Sequence, residues 1–220
     1  MRTGNSRCRR LFHIDGIGVD LNRFHPVPLA EKNRLRESLG LRDTDFVILY
    51  TAEFIPRKNH LFLLREIPVL RQSIPELHIL FAGKGELLES CRESAAELRV
   101  AEIVHFLGYR DDVELLCQMA DLHVSPSRQE GLAVSNIEAM ASGLPLVCSR
   151  IRGAVDVIIE GRNGLFFELN DPAKMVKTIL TLYKTPELRE TIARINVTDA
   201  KKFSVDTAME KMADIYKQFM

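Results

Sequence analysis

The sequence predicts an α/β domain, a doubly wound parallel sheet with helices on both faces. Six apolar bursts of strand length recur along the 220 residues: FVILYT at 46, LHILFAG at 77, IVHFLG at 103, DLHVSPS at 121, LPLVCS at 144 and GLFFEL at 164. They are near-continuous in apolar character, the pattern of strands buried on both faces. Segments of helical period separate them, which is the alternation of a parallel sheet with crossover helices.

The elements follow in order. FVILYT is the first strand, and a helix is expected from His60, with Pro68 inside it to kink or end it near Ile67. After LHILFAG, residues 86 to 98 place Leu87, Leu88, Cys91, Ala95 and Leu98 on one face. After IVHFLG, residues 112 to 120 do the same with Val113, Leu116, Cys117 and Ala120. Beyond DLHVSPS, Ser135 and Glu138 spell S-x-x-E ahead of AMASG, the form of a capping box. Gly143 and Pro145 stop that helix before the next strand, and RNG at 162 to 164 turns the chain into LFFEL. From Asp171 the sequence reads as helix, capped by Asn170 or Asp171 with Pro172 at the first position, and broken near Pro186 and Ser204. There are no repeats and no low-complexity tracts.

Composition sets bounds on function. With 46% hydrophobic residues the chain can bury a core, yet it has no run of eighteen apolar positions, so a soluble protein is expected. Thirty basic residues balance thirty acidic ones, which argues against a nucleic-acid partner, because such a partner is gathered by a large positive field. Cysteines 8, 91, 117 and 148 form no CxxC pair and fall mostly in apolar runs, as reduced core residues of a cytosolic protein do. The first ten residues hold four arginines without the apolar core of a secretory signal, the pattern of a frayed basic terminus.

In doubly wound sheets ligands lie beyond the carboxyl ends of the strands. After FVILYT, Arg57 and Lys58 stand just before a helix, either to meet a phosphate or as a solvated basic turn. After LHILFAG, Gly83 and Gly85 allow a close backbone approach to a phosphate or ribose, or serve an ordinary turn. Glu138 has a structural use in the capping box. Glu130, beside Gly131, has no helix to start, so it either pairs with Arg128 or another cation, or joins Glu138 in accepting hydrogen bonds from sugar hydroxyls. The six histidines lack metal-ligand spacing, and His78, His105 and His123 read as strand packing. No GxGxxG follows the first strand, which disfavours a nicotinamide cofactor.

Taken together, Glu130, seven residues, Glu138 and AMASGLPLV resemble the signature of the retaining family-4 (group 1) glycosyltransferases of the two-domain GT-B fold. GIGVDLNRF is similar to that family's interdomain linker, RKNH to its lysine loop, AGKGE to its glycine loop, FLGYRDDV to its base-binding segment and GRNGLFFELND to the segment that follows. The likeness runs from about Ile14 to the C-terminus, and its wording is nearest to members that build bacterial exopolysaccharide or capsule.

The resemblance implies that Glu130 is catalytic and contacts the donor sugar, that the amides of Gly131, Leu132 and Ala133 lie near the sugar hydroxyls and the diphosphate, and that Glu138 takes the ribose. It further implies diphosphate binding by Lys58 and Arg57, nucleotide contacts at Gly83 and Gly85, and base recognition around Tyr109 and Arg110. No metal or other cofactor is implied. One departure stands out: where many relatives carry Gly-Arg in the first loop, this chain has Ala52 and Glu53.

The expected organisation is a linker-like segment at 1–24, a Rossmann-like nucleotide-sugar-binding domain at 25–203, and a helix at 204–220 that in relatives packs on an N-terminal acceptor domain lacking here. The expected activity is transfer of a hexosyl group from a UDP-sugar to a glycan or lipid-linked acceptor, with little transfer by this chain alone. The expected location is cytoplasmic, with a peripheral place at the inner face of the membrane as an option for the full-length enzyme. The alternative is a non-catalytic interaction module, or an inert remnant, that pairs with a separate N-terminal half and exposes Met209, Met212, Ile215, Tyr216 and Phe219 in its absence.

Overall fold

In the computed structural model the described residues are 12, 14, 16 and 18 to 219. Cys8, the arginines of the first ten residues and much of the linker-like segment lie outside them. All six expected strands form: β1 Phe46–Thr51, β2 Leu77–Ala82, β3 Val104–Phe106, β4 Leu122–Ser125, β5 Leu146–Ser149 and β6 Gly164–Phe167. They make one sheet of order β3-β2-β1-β4-β5-β6, with every pairing parallel. Successive side chains of a strand point to opposite faces, and both faces here are buried. Ile48 and Tyr50 enter one apolar layer with Ile79, Phe81 and Val147, while Val47 and Leu49 enter the other with Leu80, Leu146 and Cys148.

Eight α-helices appear among the described residues: α1 Leu29–Ser38, α2 His60–Ser73, α3 Leu88–Glu97, α4 Val113–Met119, α5 Val134–Ala141, α6 Pro172–Lys184, α7 Pro186–Ala200 and α8 Val205–Lys217. Asp171 caps α6 by accepting the Lys174 amide at 2.9 Å, and Ser204 caps α8 by accepting the Thr207 amide at 3.0 Å. The helix breaks at Pro186 and Ser204 therefore fall where expected.

Three local expectations are corrected. Pro68 does not end α2, which continues to Ser73, because Leu63, Leu64, Ile67 and Leu70 are fully buried on both sides of the proline and hold the helix on the sheet. The capping box at Ser135 does not form. The cap position is Ala133, whose carbonyl accepts the amides of Asn136 and Ile137, and Ser135 sits inside the first turn. Buried Ala133 and Ile137 set that start by packing rather than by side-chain hydrogen bonding. Finally, the turn before β6 has its left-handed residue at Gly161, ahead of the RNG, while Asn163 is buried and accepts the Ile159 amide at 2.7 Å.

Helix α1 carries no apolar signal and is anchored by charge. Buried Arg36 donates to the carbonyls of Met119 at 2.9 Å, Asp43 at 2.9 Å and Asp45 at 3.0 Å, and to Asp121 Oδ2 at 2.6 Å. The histidines in strands are packing groups: His123 is fully buried beside Asn136 Oδ1 at 3.1 Å, and His78 Nδ1 lies 2.9 Å from His105 Nε2.

Candidate functional site

The strand order reverses between β1 and β4, so the crevice beyond their carboxyl ends is the topological switch point where sheets of this kind hold ligands. Two loops meet there. After β1, Pro56–Lys58 make one 3-10 turn, and Asn59, left-handed at φ 57°, redirects the chain into α2. After β4, the chain crosses to the first loop: the Arg128 amide donates to the Arg57 carbonyl at 2.7 Å, and Asn59 Nδ2 to the Pro126 carbonyl at 3.1 Å.

This crossing brings Lys58 and Glu130 together. Lys58 Nζ donates to Glu130 Oε1 at 2.6 Å, Ser127 Oγ donates to the same oxygen at 2.7 Å, and Arg57 Nη1 reaches Oε2 at 3.3 Å. The Glu130 side chain is 8% exposed and that of Lys58 14%, so the pair is shielded from water. Arg128 is not the partner of Glu130; it donates instead to Asn59 Oδ1 at 3.2 Å. Behind the pair, Tyr50 donates its hydroxyl to the Lys58 carbonyl at 2.7 Å. Gly153 supports the second loop, since a Cβ there would stand 2.7 Å from the Gly131 carbonyl oxygen and 2.8 Å from that of Glu130.

Glu138 lies apart from that cluster, on the wall of a cavity of about 250 Å³ at the ends of β1 and β2. Gly83, Tyr109, Arg110, Ser135, Lys84 and Glu53 share the wall; Glu130 and Lys58 do not. Burial pushes the Glu138 carboxyl above its ordinary value, Arg23 opposes that shift and Glu114 adds to it. Its carboxylate accepts no hydrogen bond from the described residues, an unusual state for a half-buried charge. Tyr109 is 71% exposed with Lys84 Nζ 5.2 Å from its ring centre, and Arg110 spends its fork on Asp112 at 2.7 and 2.5 Å. Any contact from Arg110 to a base therefore falls to its backbone.

Gly83 and Gly85 have a structural reason that the sequence did not suggest. A Cβ at Gly83 would stand 1.9 Å from the Ala52 carbonyl oxygen, and one at Gly85 2.6 Å from that of Phe54. The loops after β1 and β2 are packed backbone to backbone, and α3 starts only at Leu88. Gly131, Leu132 and Ala133 lead into the first turn of α5, where free amides of a helix start gather. Sequence reasoning missed Tyr50, Ser127, Lys84 and Gly153. The small hydroxyl that opens SRQEG, Ser127, was the one available signal.

Comparison with known proteins places the chain. A family model described as glycosyl transferases group 1 matches residues 31–196. The chain belongs to the group 1 glycosyltransferase family. EpsD of Bacillus subtilis, which is named a glycosyltransferase, is 36% identical over 207 residues, 94% of this chain and 54% of that protein. A Mycolicibacterium smegmatis protein named as a GDP-mannose-dependent phosphatidylinositol monomannoside mannosyltransferase is 33% identical, over 77% of this chain and 46% of its own length. The crystal structure of HepE from Anabaena in complex with UDP superposes with a TM-score of 0.83, at 24% identity, over 91% of this chain and 56% of that one. The chain thus spans about half the length of the curated relatives it matches. The doubly wound, Rossmann-like sheet is that of one half of the GT-B fold. No described helix is long and apolar enough to cross a membrane.

Proposed function

We propose that this group 1 glycosyltransferase chain binds a nucleotide diphosphate sugar, with UDP as the nucleotide, and presents it for hexosyl transfer with retention to a glycan or lipid-linked acceptor. The observation that carries the reading is Glu138: a half-buried carboxylate with no hydrogen-bond partner among the described residues, on the wall of a cavity at the strands' carboxyl ends. Vicinal hydroxyls of a ribose supply the donors such a group lacks. The exposed face of Tyr109 suits stacking by a base, the site the Lys84 ammonium otherwise occupies.

The rest of the geometry serves the chemistry of a leaving diphosphate. Lys58 and Arg57 are the cations of the switch point, and a negative charge that grows as the glycosyl bond breaks is stabilised there in a low-dielectric crevice. The amides at Gly131 to Ala133 add donors at the start of α5. Glu130, held by Ser127, is assigned in this reading to accept hydrogen bonds from the hydroxyls of the sugar. In this reading Lys58, Arg57 and the amides meet the charge of the diphosphate, and no metal is called for. Glu53, in the place where many relatives carry arginine, lines the cavity and weakens the field that first loop could supply.

Calorimetry of the chain with UDP, GDP and UDP-glucose, on wild type, Glu138→Ala and Lys58→Ala, tests this. Loss of roughly tenfold or more in UDP affinity is expected for each variant, the worth of a charge-assisted contact. Equal binding by all three proteins overturns the site, and preference for GDP overturns the choice of nucleotide.

A further inference from the structure

The loop contacts behind the crevice bear on how the site is held before a donor arrives. Lys58 is committed to a partner within the chain: its ammonium lies 2.6 Å from Glu130 Oε1. A side chain that must neutralise a diphosphate begins paired with a shielded carboxylate. If the phosphates draw the lysine away, Glu130 keeps its charge in a place where an uncompensated carboxylate is costly. Arg57, at 3.3 Å and 47% exposed, is a weak substitute.

Ser127 answers that problem. It is fully buried and its hydroxyl donates to the same Glu130 oxygen at 2.7 Å. The proton count is informative. Tyr50 has one hydroxyl proton, given to the Lys58 carbonyl at 2.7 Å, and Ser127 has one, given to Glu130. The two hydroxyl oxygens nevertheless lie 3.0 Å apart, so either can donate to the other if its own acceptor moves. Ser125 Oγ, 3.5 Å away, is a further donor towards Ser127. The two hydroxyls thus stand in contact between the backbone of Lys58 and the carboxylate of Glu130.

We propose that the Lys58–Glu130 ion pair is a resting latch that a nucleoside diphosphate opens, and that Ser127, backed by Tyr50, is the positioning residue that holds Glu130 once Lys58 turns to the phosphates. The proposal rests on the assignment of Lys58 to the diphosphate. It carries an unusual sign: the carboxylate at the heart of the site works against binding of the nucleotide alone. Removing its charge frees the lysine, whereas removing the serine leaves the carboxylate more dependent on the lysine.

The test is calorimetry of the full chain with UDP and, separately, inorganic pyrophosphate, on wild type, Glu130→Gln, Ser127→Ala and the double variant, each checked for folding by circular dichroism. E130Q is expected to bind both ligands roughly three- to tenfold more tightly, and S127A more weakly by a similar factor. The double variant is expected to match E130Q, because the serine acts through the glutamate. A serine with only a structural role would weaken binding equally in both backgrounds, which would overturn the proposal. So would wild-type binding that E130Q fails to improve. Should S127A fail to fold, E130Q alone decides, since damage does not tighten binding. A wild type that binds neither ligand overturns the donor-site reading, and the latch with it.

Discussion

At the level of single residues, the site is made by partners that lie far apart in sequence. Lys58 and Glu130 are 72 positions apart, and Tyr50 and Ser127 are 77 apart, so no local pattern announces either contact. What sequence did expose was residue type in loop context: a lysine before a helix, and a glutamate with no helix to start. The opposite error occurred at Glu138, where a local S-x-x-E motif suggested a cap and burial of Ala133 moved the helix start. Buried histidines give a separate prediction at this scale. Burial lowers His60 to about 3 and His123 to about 4, with Lys58 adding to the effect in both cases and the Asn136 hydrogen bond opposing it at His123. Both stay neutral in the fold but take up protons when unfolded, near an ordinary value of about 6.5. Stability is therefore complete above that pH and falls as pH drops below it, by roughly 1.4 kcal/mol per pH unit for each histidine. Urea midpoints measured from pH 7.5 to pH 4.5 are expected to fall, and less steeply for His60→Phe, whose ring keeps the stack on Phe54 at 4.0 Å.

At the level of elements, strands were the legible part, and for a physical reason. A strand buried on both faces must be apolar at every position, so its run stands out wherever it occurs, and all six runs became strands. Helices with an apolar face, α3 and α4, were legible by period. Helix α1 was not, since its attachment is ionic: Arg36 and Lys32 share Asp121, which also accepts the Val47 amide at 2.8 Å. That difference predicts an uneven response to substitution. Arg36→Ala removes four hydrogen bonds and takes the donor from the carbonyls of Met119 in α4 and of Asp43 and Asp45 ahead of β1, and is expected to cost about 3–5 kcal/mol in urea unfolding. Arg36→Lys should recover little, because one ammonium cannot reproduce a fork that spans Met119, Asp45 and Asp121. A cost below 1 kcal/mol for R36A would show that α1 is held by something other than this arginine.

At the level of the whole molecule, the parallel sheet places its working loops at one end, and a last helix runs across the outside without entering the core. None of the residues of α8 is buried, while Met209, Met212 and Tyr216 are exposed along it and Ile215 is half-buried. At the start of the helix the Val205 amide donates to the Val19 carbonyl at 3.1 Å, and Val19 bridges to Ser204. Its apolar stripe borders a hollow of about 580 Å³ lined by Ile14, Val205 and the same methionines. An amphipathic helix whose apolar side meets water is expected to bind a hydrophobic dye and to promote self-association. Charging that side with Met209→Glu and Tyr216→Glu together should abolish most dye fluorescence and shift the chain towards monomer in sedimentation. Because neither side chain is buried, unfolding stability should change by under about 1 kcal/mol. A large loss of stability in that double variant would mean that α8 is part of the sheet's own packing, and that its apolar face is already satisfied within this chain.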